Sequence, residues 1–92
     1  METKIQILLS NGRSVDKEFY KSILQQIEEI IPALRSNAAY TGEALCGTEF
    51  WEELGSKQRS AGQCIANMVR VGALPLERVG CEHQYPRKYK RK

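Results

Sequence analysis

The amino-acid sequence predicts a mainly α domain closed by a small C-terminal β-hairpin. Three observations carry that expectation. Residues 17–34 and 56–71 repeat apolar side chains at helical spacing. Gly72 and Pro75 then break the chain directly after the second of these segments. Beyond the break, Leu74, Leu76 and Val79 suit a short strand, and Tyr85 to Lys90 a returning one.

At the N-terminus, Thr3 and Gln6 fit a capping box, with Ile5, Leu8 and Leu9 on one face and Gly12 placed as a stop. This favours a short helix over residues 4–10. The competing reading is a strand over 4–9 turning at Asn11-Gly12, because Ile5, Ile7 and Leu9 also alternate. Asp16 is placed to cap the next helix, with Glu18 near its positive end. Phe19, Ile23, Ile27, Ile30, Ile31 and Leu34 form its apolar stripe. Pro32 lacks an amide hydrogen and crowds the preceding turn, so this helix ends or kinks near Ile31.

Residues 35–42 show no strong periodicity and read as a connector. Thr41 or Thr48 is placed to cap the next helical segment. Gly47 argues against one continuous helix from 42 to 54, at about 1 kcal/mol relative to alanine. The expectation is a short helix over 48–54, stopped by Gly55 and anchored by Phe50, Trp51 and Leu54. Ser56 is then the predicted cap of the final helix, which runs to about Val71. Ala61, Cys64, Ile65, Met68 and Val71 make its apolar stripe, and Arg59, Ser60, Gln63, Asn67 and Arg70 a polar one.

The chain has 92 residues, enough for one domain and one core. Its parts are read as an N-terminal helical region 1–41, a helix pair and hairpin 42–86, and a basic tail 87–92. Hydrophobic content of 41% with 27% charged residues places it away from the disordered class. No apolar run is long enough to span a bilayer and the N-terminus does not read as a signal peptide, so a cytoplasmic location is expected, with no membrane partner. Cys46, Cys64 and Cys81 are an odd, widely spaced set and read as reduced thiols.

Charge is divided along the chain. Residues 1–55 carry five Lys/Arg against nine Asp/Glu, and residues 56–92 nine against two; the resulting −4 and +7 make the net +3. A basic half of this kind suits a polyanionic partner.

The run from Glu49 to Gly80, followed by YPRKYKRK, orders helix, turn, helix, strand, loop and strand in a way that resembles the winged helix-turn-helix superfamily. Met68 to Gly80 looks like the junction of its recognition helix and wing, and ILLSNG like its first helix. The long helix 17–34 is a departure from that pattern. The resemblance implies a small DNA-binding protein, a transcriptional regulator, that reads duplex DNA with helix 56–71. Arg59, Ser60, Gln63, Asn67 and Arg70 would face bases, since Arg forks onto guanine and Asn or Gln onto adenine. Lys57, Arg78, Arg87, Lys88, Lys90, Arg91 and Lys92 would meet phosphates. The Ile-rich face of helix 17–34 is the candidate surface for a homodimer.

Each feature has a plainer reading. The polar stripe also suits the solvated face of a surface helix. Tyr85 and Tyr89 either stack on bases or pack beneath a strand. Cys81-x-His83 would need two more ligands to hold zinc, and no orienting residue completes a Cys–His nucleophile. Glu49, Glu52 and Glu53 read as a solvated acidic face. Nothing resembles a phosphate loop, a dinucleotide fingerprint or a hydrolase elbow. The expectation is therefore a protein without catalytic activity, cofactor or metal. The alternative is a protein-interaction module, an adaptor or inhibitor on the same scaffold.

Overall fold

A computed structural model describes residues 6–9, 12–80 and 87–92. The chain opens with an antiparallel pair, β1 (Gln6–Leu8) and β2 (Ser14–Asp16), in the register Gln6↔Asp16, Ile7↔Val15, Leu8↔Ser14. This overturns the predicted helix over 4–10 and favours its competitor. The reason is cross-chain: Leu9 N–H donates to the Arg13 carbonyl, Gly12 N–H returns to Leu9, and Gly12 takes φ +87°, which glycine adopts at little cost. A helix of under two turns here would gain no such partners.

Helix α1 (Lys17–Ile30) starts where expected, with the Asp16 carboxylate accepting from Glu18 N–H at 3.0 Å. Its last turn tightens into a 3-10 turn over Ile31–Ala33, as Pro32 requires. Ile23 and Ile27 are fully buried, and α1 packs on the last helix and on the short helix over Gly42–Cys46. Its isoleucine face, predicted as a dimer surface, therefore lies inside this chain's own core.

The connector hides a strand, β3 (Ala39–Thr41). Three residues carry no periodicity of their own; pairing with the end of the chain makes them a strand. Thr41 then caps α2 (Gly42–Cys46), its hydroxyl accepting from Ala44 N–H at 3.2 Å. Gly47, at φ +91°, separates α2 from α3 (Thr48–Leu54), and Gly55 ends α3.

Residues Gly55–Lys57 form a 3-10 turn that runs straight into α4 (Gln58–Arg70). The predicted Ser56 cap is thus corrected. The residue at the cap position is Lys57, whose φ −89° and ψ 0° are not the extended geometry a serine cap needs, and no side chain caps the helix start. At the other end Gly72 N–H donates to the Val69 carbonyl and Ala73 N–H to Met68, the double closure of a Schellman turn.

Strands β4 (Leu76–Val79) and β5 (Lys88–Arg91) complete the fold. The sheet order is β3-β5-β4, antiparallel throughout, with Tyr89 opposite both Tyr40 and Arg78. The predicted basic tail 87–92 is therefore largely the central strand of a sheet, and the expected two-stranded hairpin is three-stranded. The molecule is a small compact α/β protein, with helices packed against two small antiparallel sheets. Its core joins Leu9, Ile23, Ile27, Leu45, Ile65, Met68, Leu74, Leu76 and Tyr89. Among the described residues no helix is long and apolar enough to cross a membrane.

Candidate nucleic-acid interface

The inward face of α4 is fixed by Ala61, Cys64, Ile65 and Met68, all without solvent exposure. That anchoring turns Arg59, Gln63 and Arg70 the other way. Arg59 and Arg70 are exposed and Gln63 half-buried. At about 1.5 Å rise per residue, the two arginines stand roughly 16 Å apart along one stripe.

Asn67 leaves that stripe. It is 8% exposed, and its side-chain amide donates to the Tyr20 hydroxyl on α1 at 3.1 Å. The predicted base contact is corrected for that reason: position 67 lies round the helix toward Cys64, on the shoulder that faces α1. Ser60 is half-buried.

The start of α4 gathers positive charge. Its first turn holds no acidic residue, and the helix dipole adds a partial positive charge there, while the preceding 3-10 turn takes the Gln58 N–H to the Gly55 carbonyl. Arg59 sits in that turn. Lys57 precedes it, exposed, with its ammonium 5.8 Å from the centre of the Phe19 ring. That contact is a cation–π pair, which holds the lysine over α1.

The cations of β5 divide by face. Alternation turns Tyr89 and Arg91 inward, and Lys88 and Lys90 outward. Tyr89 is 2% exposed, so the stacking role offered for it is replaced by core packing. Arg91 donates to the Leu34 carbonyl at 3.1 Å and fastens the strand to the end of α1. Lys90 pairs with Glu77 across the sheet at 3.3 Å. Lys88 and Lys92 are exposed, as is Arg78 on β4. Tyr85, Cys81 and His83 lie outside the described residues.

Arg87 is half-buried and joins Arg59 and Gln63 around a cleft of about 560 Å³. Trp51 forms one wall, and Ile65 and Tyr89 are the buried side chains at its base. Gly42 packs so closely that a Cβ there would lie 3.2 Å from the Trp51 ring. The cleft was not anticipated from the sequence, where Trp51 read only as a core anchor. A helix-interior glycine, Gly62, was the available signal, since such a residue costs stability unless something needs its space.

Cys46 and Cys64 are free thiols, and burial pushes their pKa values up to about 12 and about 11. Among the described residues, no three His, Cys, Asp or Glu side chains gather as a metal site. Glu49, Glu52 and Glu53 are exposed on α3. Compared with known protein families, with curated proteins and with solved structures, the chain finds no match.

Proposed function

We propose that this chain is a small duplex-DNA-binding protein, a transcriptional regulator, built as a winged helix-turn-helix. The observation that carries the reading is the outward stripe of α4. It sets Arg59, Gln63 and Arg70 on one face of a rigidly seated helix whose start bears cations that suit a phosphate. The order α1, β3, α2, α3, α4, β4, β5, with its sheet arranged β3-β5-β4, supports the architecture. In this reading α3 and α4 are the helix pair, α1 is the support behind them, and β4 with β5 is the wing. Arg59, Gln63 and Arg70 face base edges. Lys57, Arg78, Lys88 and Lys92 meet phosphates, while Arg91 and Lys90 hold the wing together.

The test is duplex-DNA affinity across a salt series. Four or five phosphate contacts give a log–log slope between about −3 and −5. The Arg59→Ala/Arg70→Ala protein is expected to keep much of that slope and lose its preference among sequences. Absent or salt-insensitive binding would sink the proposal.

A second reading, a protein-interaction module without nucleic-acid binding, is favoured by one observation. The exposed Glu49, Glu52 and Glu53 sit on α3, the helix directly before α4, where a polyanion would be repelled. Replacing all three with Gln strengthens DNA binding in the first reading and is without effect on it in the second.

A further inference from the structure

The geometry points to a small-molecule site in the cleft between Trp51 and α4, one that takes an apolar aromatic carboxylate. Its volume, about 560 Å³, is that of a pocket for a compact organic ligand. The apolar surroundings come from Trp51, Ile65 and Tyr89, which suit a ring rather than a hydrated ion. The charge comes from the rim, where among the described residues Arg59 and Arg87 outnumber the acid Glu43. The exposed Arg59 guanidinium beside an apolar floor recognises a carboxylate, which it can bind bidentately, attached to an apolar body.

Two features show that the space is held open. Gly42 is wedged against Trp51 and Ile65, so the ring is fixed as a wall. Gly62 lines the cleft from the helix side, and a Cβ built on it meets nothing within 4 Å. A larger side chain would fit there sterically, and the helix would gain from it. The glycine leaves room for an occupant.

Arg59 and Gln63 belong both to this cleft and to the face assigned to DNA. An occupant would therefore compete with a duplex, a consequence that rests on the DNA reading. Occupancy of the cleft does not, and it is measured without DNA.

Trp51 is the chain's one tryptophan, so its fluorescence reports the cleft directly. The probe is 4-tert-butylbenzoate, with 4-tert-butylbenzyl alcohol as its neutral counterpart. The carboxylate is expected to change Trp51 emission saturably, and the alcohol to bind at least about tenfold more weakly. Arg59→Gln weakens the carboxylate by about tenfold and leaves the alcohol unchanged. Gly62→Leu fills the cleft and removes binding of both, with far-UV circular dichroism and melting temperature at or above those of the parent. Non-saturable quenching, equal affinity for acid and alcohol, or full binding by a folded Gly62→Leu protein would each overturn the proposal.

Discussion

The Asn67 side-chain amide donates to the Tyr20 hydroxyl at 3.1 Å, joining α4 to α1 across 47 positions of sequence. The bond assigns Asn67 to the frame that aims α4. Tyr20→Phe should cost about 1–3 kcal/mol because the buried Asn67 amide loses this acceptor, and Asn67→Ala about 1 kcal/mol or more because the half-buried Tyr20 hydroxyl can turn to water. Chemical denaturation measures both, and a double-mutant cycle should show coupling. On the proposed DNA reading, sequence preference should stay as in the parent for either variant.

The two helix-lining glycines should behave oppositely. Gly62→Ala meets open space and is expected to stabilise the fold by up to about 1 kcal/mol. Gly42→Ala puts a Cβ 3.2 Å from the Trp51 ring and 3.3 Å from Ile65, so it should lower the melting temperature and shift Trp51 emission. Thermal unfolding followed by fluorescence separates the two.

Basic residues of β5 and its end should split into structural and binding groups. Arg91→Ala removes the bond to the Leu34 carbonyl and should cost about 1–3 kcal/mol. Lys88→Ala and Lys92→Ala, at exposed positions, should leave stability within about 0.5 kcal/mol. Each should reduce the salt slope of DNA binding by about 1. Glu77→Gln breaks only an exposed ion pair, worth about 0.5 kcal/mol, and should steepen that slope by freeing Lys90.

The buried thiols predict an alkaline limit. Burial raises Cys46 to about 12 and Cys64 to about 11 from an ordinary 9.0. Above pH 9 the unfolded chain sheds protons that the folded chain keeps, so the unfolded state is favoured. Stability attributable to these thiols is intact below pH 9 and declines as pH rises toward 11 and 12. The parent's melting temperature should therefore fall more steeply above pH 9 than that of a Cys46→Ala/Cys64→Ala protein. Parallel curves would contradict this.

Several local signals in the sequence match the structure, while the Ser56 cap and the helix over 4–10 do not. Asp16 caps α1, Pro32 tightens its end, Gly47 and Gly55 bracket α3, and Gly72 closes α4. Long-range pairing was illegible. Residues 39–41 become a strand only because Lys88 to Lys90 lie beside them, whereas the strand at 6–8 was readable as the competing alternation and is decided by the return of Ser14 to Asp16. The polar stripe of α4 was readable as a period but not as a set of partners. Nothing in the sequence says that Tyr20 reaches Asn67, that Leu34 offers its carbonyl to Arg91, or that Glu77 stands opposite Lys90. The cleft left only Gly62 as a trace in the sequence, since it is made by separate elements meeting.

The most direct test is a two-dimensional NMR titration of the protein with a mixed-sequence DNA duplex. The outward face of α4 is the proposed reader, so the largest shift changes should fall on Arg59, Gln63 and Arg70, with a second group at Lys88. Asn67 and the buried residues of α1 should move least. Perturbations confined to α3, or no perturbation at low salt, would contradict the account.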